Sequence, residues 1–364
     1  MIQETDMSME GSNKRNSVYM SASHDVTVNL ATEEWLLKDI PEGEEILFLY
    51  ENNMAVVIGR SQNPWRECRT GLAKRRGIAI RRRISGGGTV VHGEGNLNYS
   101  IISGRRWPRK EVNLDRIIRA LGTLGLRVQR NERCDLLVEP PDNPTGMSLK
   151  VGGSAFRLSS RSSMHHGTLL VNANLDMLRK LLHVPPRQIE AKGVRSTPSA
   201  VCNLADVSGA VMPRLTVSDV VDALCREWGG TPFPDAWGLI DEERGESEYQ
   251  NYIDRLASEE WIWGKTPDFR ERFSKLPELG NAVLEFEVRA GRIESIAIIE
   301  NNGKPLGEIG ALKGLTYQGS TILSSPGAAP ERWVYALAGL VDGDFLDPQD
   351  DSAIGCPDAR ECRM

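Results

Sequence analysis

Residues 78–102 have the sequence IAIRRRISGGGTVVHGEGNLNYSII and contain three short runs that are typical of β-strands. The runs cover residues 78–82, 89–91 and 98–102, and each is rich in β-branched or aliphatic side chains. A run of three glycines opens a loop between the first two. This part of the chain is therefore predicted to be rich in strands.

Strand-like runs also cluster on both sides of this segment. Two apolar runs precede it, and strand after strand follows between residues 126 and 171. Strands that come in clusters, with helices between and around them, predict an α+β fold with a mixed, mostly antiparallel sheet flanked by helices, and argue against a doubly wound fold. The further predicted elements are strands at residues 45–50 and 55–58 and helices at residues 31–38, 114–124, 175–182 and 217–228.

Short polar residues mark the predicted starts of several helices. Asn29 is predicted to cap the first helix and Thr216 the last, because such side chains accept hydrogen bonds from the first turn. Asn63-Pro64 has the pattern of an N-cap followed by the first helical residue, which predicts another helix that ends near Gly77.

The length of 364 residues favours two domains. A change in composition follows Gly229, and a new set of elements begins after Pro267, so we place the boundary near residue 265. The predicted organisation is a disordered tail over residues 1–20, a large domain over residues 21–264, a small α/β accessory domain over residues 265–346 and a polar tail over residues 347–364. The accessory domain has predicted strands at residues 282–289 and 293–300 and predicted helices near residues 306–312 and 331–340.

The composition is that of an ordinary globular protein, with 40% hydrophobic and 26% charged residues. No run of ~18 apolar residues is present, so we expect no membrane-spanning helix. The N-terminal residues have neither the apolar core of a secretory signal nor the arginine-rich composition of a transit peptide. The six cysteines are scattered and include no Cys-x-x-Cys pair, which predicts reduced thiols in the cytoplasm and no structural zinc.

Charge is distributed unevenly along the chain. The net charge of −6 combines a basic stretch at residues 60–110, where 13 Lys and Arg face 2 Asp and Glu for a net +11, with a remainder at −17. A basic stretch in an acidic protein indicates an anionic partner, such as a nucleotide, an acidic protein or a nucleic acid, or else a solvated helix face.

The glycine run of the opening segment has the features of an anion-binding loop. Glycines let backbone N–H groups approach a ligand closely, and Arg83 and its neighbours add permanently charged donors. The stretch is not a Walker A loop, because no Gly-Lys-Ser/Thr follows, and it lacks the Rossmann spacing. Phosphate binding and an ordinary basic hairpin turn both fit this stretch taken alone.

Two later motifs are also candidates for chemistry. Lys150 stands beside Gly152 and Gly153 on a predicted strand, where it could meet a bound anion, although most such lysines are simply solvated. His165 and His166 are adjacent on a strand and point to opposite faces, so they make a poor metal site, and a packing role is expected.

These three motifs, in this order and spacing, resemble the lipoate–protein ligase A family, within the biotin/lipoate A/B protein ligase superfamily. The resemblance extends from about residue 23 to residue 346. Further matching segments are Val57-Ile58-Gly59-Arg60-Ser61-Gln62-Asn63-Pro64-Trp65, Gly95-Asn96-Leu97-Asn98, Arg133-Cys134-Asp135-Leu136 and Ala191-Lys192-Gly193-Val194-Arg195-Ser196.

The resemblance implies a two-step, AMP-forming ligase. Lipoate, or octanoate, and MgATP would give the acyl-AMP and pyrophosphate, and a lysine of a lipoyl domain of a 2-oxoacid dehydrogenase, or of the glycine-cleavage H protein, would then take the acyl group. The implied fold is the biotin/lipoate ligase catalytic fold, distantly like class II aminoacyl-tRNA synthetases, with an accessory domain. ATP and Mg²⁺ are the implied cofactors, and a monomer that binds neither nucleic acid nor membrane is expected.

The family's functional positions can be transferred to matching residues of this chain. The lysine that touches both lipoate and nucleotide matches Lys150, the predicted catalytic residue. The family's Asp after the histidine is Gly93 here, which leaves Asp135 as the predicted magnesium ligand. The predicted ATP contacts are Arg83, Gly88, Thr89, Val90, Val91 and Lys150, and the predicted lipoate contacts are Lys150, Gly87, His92, Val57 and Gly59.

Two departures from the family pattern leave alternatives open. Cys134 stands where the ligases often have Asn, and Gly152 where they often have Ser. Because a thiolate is a good acyl carrier, Cys134 also fits an ATP-independent octanoyl or lipoyl transferase. A third alternative, from a different class, is a nucleic-acid-binding module that uses the basic stretch, although a recognition helix and an RNA-binding aromatic signature are both missing.

Overall fold

The computed structural model describes residues 16–105, 109–140, 146–184, 186–208, 215–230, 245–274, 282–300, 302–325 and 331–343. The predicted tail at residues 347–364 and most of the one at residues 1–20 lie outside these ranges. None of the helices in the described part of the chain combines the length and the hydropathy needed to span a lipid bilayer.

The secondary structure of the described residues is mixed α and β. The strands are β1 Asn16–Met20, β2 Glu45–Tyr50, β3 Ala55–Ile58, β4 Ala79–Arg82, β5 Val90–His92, β6 Asn96–Ser103, β7 Val128–Arg130, β8 Leu136–Val138, β9 Leu149–Leu158, β10 Ser163–Leu170, β11 Gln188–Ala191, β12 Phe269–Phe273, β13 Ala282–Arg289, β14 Arg292–Glu300 and β15 Pro305–Glu308. The helices are α1 Val26–Asp39, α2 Pro64–Glu67, α3 Thr70–Arg75, α4 Lys110–Gly122, α5 Leu175–Leu182, α6 Leu204–Val207, α7 Val217–Trp228, α8 Gly245–Ala257, α9 Gly319–Leu323 and α10 Glu331–Asp342. A π-helical turn spans Glu260–Gly264, and a 3₁₀ turn spans Gly310–Leu312.

The chain divides into two compact units, each assembled from separate segments. The first unit contains Met1–Asn53, Gly93–Asn174 and Ser199–Ile253, and the second contains Met54–His92, Leu175–Pro198 and Asp254–Met364. The predicted boundary near residue 265 falls inside the second unit, and the accessory domain over residues 265–346 remains a prediction about domain organisation.

The first unit is built on one large sheet, whose described strands have the order β1-β2-β6-β10-β9-β8-β7. The β1–β2 pair is parallel, and the other pairs are antiparallel. Helices α4 and α7 cover one face, and their apolar residues join those of the strands in a continuous core. Residues 16–20, assigned to the tail from the sequence, form β1 because Val18 is buried in this core.

The second unit contains two smaller sheets. One is a three-stranded sheet with the order β4-β3-β5, in which β3 and β4 are parallel and β5 is antiparallel. The other has the order β11-β12-β13-β14-β15, with a core of aromatic and aliphatic residues that includes Trp65, Phe286 and Tyr317. The predicted mixed, mostly antiparallel sheets flanked by helices are confirmed.

Three local predictions were wrong. Helix α1 begins after Asp25, whose side chain accepts from the backbone N–H groups of Thr27 and Val28, and the predicted cap Asn29 is buried inside the helix. The helix predicted after Asn63 is interrupted between α2 and α3, although Asn63 does cap it. The helix predicted near residues 306–312 is instead strand β15 and a 3₁₀ turn, because β15 finds a pairing partner in β14.

Candidate functional site

The glycine loop lies in the second unit, between β4 and β5, and hydrogen bonds from the side chain of Arg83 hold it in place. The guanidinium of Arg83 donates to the carbonyl oxygens of Gly86 and Gly88, at 2.6 and 2.7 Å, and to Ser85 Oγ at 2.9 Å. A further bond to the carbonyl of Val57, 3.1 Å long, ties the arginine to β3. Arg83 is buried and holds the loop carbonyls inward.

Close backbone packing explains why glycines are needed here. A Cβ on Gly59 would lie 2.3 Å from the carbonyl oxygen of Gly87, so β3 could not approach the loop with any side chain at that position. Gly87 itself has φ +90°, a backbone conformation that other residues rarely adopt. The loop conformation is therefore encoded by Gly59 and Gly87 together.

A polar network joins the loop to the segment at residues 193–196. Thr89 donates its backbone N–H to Ser196 Oγ at 2.9 Å and its hydroxyl to Gln62 Oε1 at 2.9 Å. Gln62 Oε1 also accepts from the backbone N–H of Gly59 at 2.8 Å, and Gln62 Nε2 donates to Ser196 Oγ at 3.1 Å. The backbone N–H of Thr89, at the end of the glycine loop, is thus already donated to a serine hydroxyl, and a phosphate oxygen would have to take the place of that hydroxyl to accept from it.

The other predicted residues of this unit lie on the three-stranded sheet. Val57 pairs with Val90 across β3 and β5, and Val91 belongs to the apolar core of this part of the unit. His92, at the end of β5, pairs with Ala55 and is buried. The structure therefore gathers the predicted contacts Arg83, Gly87, Gly88, Thr89, Val90, Val91, His92, Val57 and Gly59 around one loop and one small sheet.

Lys150 lies in the first unit, at the beginning of β9. Its backbone N–H donates to the carbonyl of Ala200 at 2.9 Å, and its carbonyl accepts from the N–H of Cys202 at 3.1 Å. Its ammonium lies 2.6 Å from Asp135 Oδ1, and the side chain keeps 27% of its exposure. The lysine is thus fixed at both its backbone and its charged end.

The sequence around Lys150 shapes the path of this side chain. The β8–β9 pairing shifts by one residue, since Leu136 pairs with Gly152 and Leu137 with Lys150, so Val151 is an extra residue. Such a bulge changes the direction of the neighbouring side chains. A Cβ on Gly153 would lie 2.9 Å from Lys150 Nζ. The glycine therefore makes room for the side chain of Lys150, in addition to any room that it leaves for a ligand.

Asp135 belongs to a tight turn that Asn131 organises. Asn131 Oδ1 accepts from the backbone N–H groups of Arg133 and Asp135, each at 2.9 Å, and Asn131 Nδ2 donates to Asp135 Oδ2 at 3.0 Å. Burial alone would raise the pKa of Asp135, but hydrogen bonds from Lys150 and Asn131 and the charges of Lys150 and Arg133 hold it below its ordinary value. The carboxylate is therefore charged at neutral pH.

The described residues do not fit a preformed magnesium site at Asp135. Both of its oxygens accept from side-chain donors, since Oδ1 faces Lys150 and Oδ2 faces Asn131 and, at 3.4 Å, Arg133. A cation bound there would have to displace one donor and would lie next to two positive charges. Within the described residues, no three His, Cys, Asp or Glu side chains gather into a group that could hold a metal ion.

Cys134 occupies an unusual backbone conformation in the same turn. Its φ is +63°, in the left-handed region that asparagine and glycine tolerate and most other residues avoid. Its side chain packs against the core of the first unit. Burial raises the pKa of the thiol, and the effect of Glu111 adds to this while Lys110 opposes it, so the thiolate is disfavoured at neutral pH.

The two adjacent histidines of β10 do point to opposite faces. His165 is buried between the rings of Phe156 and Tyr99, and burial lowers its pKa to about 3. His166 Nδ1 lies 3.0 Å from each carboxylate oxygen of Glu33. Both side chains are occupied by packing or pairing inside the first unit.

Sequence reasoning assigned no role to two residues that the structure brings to the glycine loop. Gln62 and Ser196 both lie in segments that matched the family motifs, but spacing alone did not connect them, because more than a hundred residues separate them in the chain. Arg82, next to Arg83, is also fully buried, and within the described residues it donates to backbone carbonyls and to the Thr266 hydroxyl.

Comparison with known proteins identifies the family. The profile described as "Lipoyl protein ligase A/B catalytic domain" matches residues 25–229, more than half of the chain. The chain belongs to the lipoate–protein ligase family. It is an enzyme of that family, and the predicted family resemblance is confirmed.

Individual members of the lipoate–protein ligase family show the extent of the similarity. Lipoate-protein ligase A of Bdellovibrio bacteriovorus is 33% identical over 281 residues, which are 77% of this chain and 81% of the relative. The crystal structure of P. falciparum LipL1 in complex with lipoate matches with a TM-score of 0.57 and 22% identity, over 90% of this chain and 99% of that one. A lipoate-protein ligase A structure with bound ATP matches with a TM-score of 0.54 and 23% identity, over 69% of this chain and 98% of that one. At these identities the two structures establish the fold of a lipoate–protein ligase for this chain.

Proposed function

We propose that this chain activates lipoate, or octanoate, with ATP and transfers the acyl group to a lysine of a lipoyl domain or of the glycine-cleavage H protein. Family membership supports ligation of lipoate, and relatives of the same fold have been solved with lipoate and with ATP. The observation that carries the proposal is Lys150, whose ammonium is fixed by Asp135 yet remains partly exposed.

The first half-reaction requires a cation between two anions. A carboxylate oxygen of the acid attacks the α-phosphorus of ATP, a P–O bond forms, and the bond to the departing pyrophosphate breaks. Both reactants are negatively charged, so a fixed ammonium such as that of Lys150 stabilises their approach. Backbone N–H groups of a glycine loop are donors of the kind that bind phosphate oxygens, and we assign that role to the glycine loop of the second unit.

The second half-reaction exchanges an anhydride for an amide. The acceptor amine attacks the carbonyl carbon of the acyl-AMP, AMP departs with the electrons of the broken C–O bond, and the amine loses a proton to solvent. Negative charge builds up on the carbonyl oxygen as the amine attacks, and Lys150 would stabilise it there. One lysine thus has a role in both steps.

Magnesium remains a prediction, since the donors around Asp135 do not form a site for it. We therefore assign no residue of this chain as a magnesium ligand in either half-reaction. Because Mg²⁺ is usually held by one or two carboxylates together with substrate phosphates, the phosphates would supply most of its ligands if it enters with ATP.

The transferase alternative depends on Cys134 as a nucleophile, and two properties of that residue speak against it. Its thiol has a raised pKa, whereas reactive cysteines have a lowered one. Its position in a left-handed turn matches the asparagine that ligases often have there, which indicates a backbone role.

Pyrophosphate release tests the proposal directly. The chain is mixed with lipoate and MgATP, with and without a lipoyl domain, and pyrophosphate and acylated acceptor are measured. Lys150→Ala should lower both rates by at least ~10², the scale for removing one electrostatic contact in a transition state. Lys38→Ala, which breaks an exposed ion pair with Glu248 in the same unit, is the matched control and should stay near the wild-type rates. A wild-type chain that releases no pyrophosphate refutes the proposal, and normal release by Lys150→Ala removes that lysine from the mechanism.

A further inference from the structure

The two carboxylate oxygens of Asp135 have different partners, and one of them pairs with the ammonium of Lys150. The Oδ1–Nζ distance is 2.6 Å, and Oδ2 is taken by Asn131 and Arg133. Among the described residues, Asp135 is the one acid in an ion pair with Lys150. This arrangement separates the two oxygens by role, since one is anchored to the turn and the other is left for the lysine.

The anchoring of Asp135 is local and rigid. Three hydrogen bonds from or to the side chain of Asn131 close the turn, and the backbone N–H of Asn131 donates to the carbonyl of Asp135 at 3.1 Å. Cys134 adopts its left-handed conformation within this turn. The carboxylate is therefore oriented before any ligand arrives.

The lysine side chain, by contrast, is long and would be mobile without a partner. Four rotatable bonds separate Lys150 Nζ from the backbone, and ordering such a chain costs up to ~2 kcal/mol of conformational entropy. The bulge at Val151 and the absent side chain of Gly153 direct it towards Asp135. An ammonium has three N–H donors, so one can point to Asp135 while others meet a substrate.

We propose that Asp135 is the positioning residue of Lys150 and holds its ammonium where the reacting anions meet, rather than serving as a magnesium ligand. This inference rests on the proposed function, because it assigns a role within that reaction. It also replaces the role of magnesium ligand, which the sequence predicted for Asp135, with a role that agrees with the hydrogen-bond donors around its carboxylate.

A charge-removing, shape-preserving substitution tests the inference. Asp135→Asn keeps an acceptor and the turn but weakens the hold on the ammonium. It should lower kcat for both pyrophosphate release and acyl transfer by ~10- to 10²-fold, the scale of a catalytic group displaced by about 1 Å. The Mg²⁺ concentration that gives half-maximal rate should not change. Asp115→Asn, which removes the carboxylate of an exposed ion pair with Arg130 in the same unit, is the matched control and should leave kcat unchanged.

A double-mutant cycle separates positioning from an independent role. If Asp135 acts through Lys150, adding Asp135→Asn to Lys150→Ala should cause no further loss of rate beyond a few-fold. Thermal unfolding of each variant shows whether the fold is kept, and Asp135→Glu, which restores the charge on a longer arm, should recover part of kcat. If the role of Asp135 were purely structural, Asp135→Glu would recover kcat only to the extent that it recovers thermal stability.

Three results would overturn the inference. Additive losses in the double mutant would give Asp135 a role of its own. An increased Mg²⁺ requirement with a normal kcat at saturating Mg²⁺ would make it a metal ligand. A kcat of Asp135→Asn equal to that of the wild-type chain would show that Lys150 does not depend on Asp135 for its position. Each of these leaves the proposed function intact, which fails only if the wild-type chain does not release pyrophosphate with lipoate and ATP.

Discussion

Replacing Cys134 by asparagine should stabilise this protein without abolishing its activity. The φ of +63° places Cys134 in the left-handed region, which costs an ordinary L-residue about 1–2 kcal/mol. Asparagine adopts this conformation more readily because its short polar side chain can hydrogen-bond locally. The substitution therefore removes backbone strain at the turn that presents Asp135.

The net gain should be smaller than the strain itself, since the thiol also packs against the core of the first unit. Losing part of this apolar contact offsets some of the benefit, so we expect a gain of ~0.5–1 kcal/mol in the free energy of unfolding. A change of 1 kcal/mol in the free energy of unfolding shifts Tm by ~2–4 °C in a domain of about 150–250 residues, so Tm should increase by roughly 1–4 °C.

Denaturant unfolding and thermal scans of four variants measure this effect. Cys134→Asn and Cys134→Gly should both gain stability, whereas Cys134→Ala removes the thiol but retains the strain. Cys134→Val should lose stability, because a β-branched residue with positive φ is a true outlier. If Asn is no more stable than Ala, or if Val is tolerated, the backbone argument is refuted.

Two substitutions of Cys134 decide between ligase and transferase. Cys134→Asn and Cys134→Ser should ligate lipoate in the presence of ATP within a few-fold of the wild-type rate. Complete loss of activity, together with an acyl thioester on Cys134 detected by mass spectrometry, would establish the transferase instead.

Three further predictions follow from the second unit. Gly87→Val should weaken ATP binding, measured by calorimetry, because valine rarely adopts φ +90°, whereas Gly86→Ala should not, since a Cβ on Gly86 would have no atom of the described residues within 4 Å. If Gly87→Val binds ATP as tightly as the wild-type chain, the glycine loop is an ordinary turn. Burial raises the pKa of Cys68 to about 12 from an ordinary 9.0, so at pH 8 its alkylation in the native protein should be ~10³-fold slower than in the unfolded chain, and comparable rates would contradict its burial. Arg82→Lys should lower the free energy of unfolding, measured by denaturant titration, by more than ~3 kcal/mol, because lysine cannot donate to the same set of carbonyl groups. A loss below ~0.5 kcal/mol would show that the hydrogen bonds of Arg82 do not stabilise the fold.

Much of the secondary structure could be predicted from the sequence. Strands β2, β3 and β13 and helices α5 and α7 have the predicted bounds, and Thr216 caps α7 as expected. These elements depend on apolar periodicity and on capping residues within a few positions, both of which are local properties. The family motifs likewise identified the glycine loop and Lys150, because each motif is contiguous in the chain.

Elements whose form depends on a distant partner could not be predicted in this way. The helix expected near residues 306–312 became β15 because the edge of β14 was available to pair with it. Strand β11 was missed since its pattern is weak, and it is held in place by pairing with β12. Pairing energy from long-range neighbours decided both cases over local propensity.

The sequence alone determined that this protein has an arginine-flanked glycine loop, a lysine beside two glycines and the family to which these motifs belong. Only the tertiary structure decided what the charged residues do. Arg82 and Arg83 belong to a basic stretch that suggested an exposed anion-binding surface, yet both are buried and donate to carbonyl groups. Lys150 and Asp135 meet because a bulge and an Asn131-bound turn bring two strands into register. A residue type sets the charge and the hydrogen-bonding capacity of a side chain, but its partners depend on chain segments far away in sequence, and those are fixed only when the strands pair.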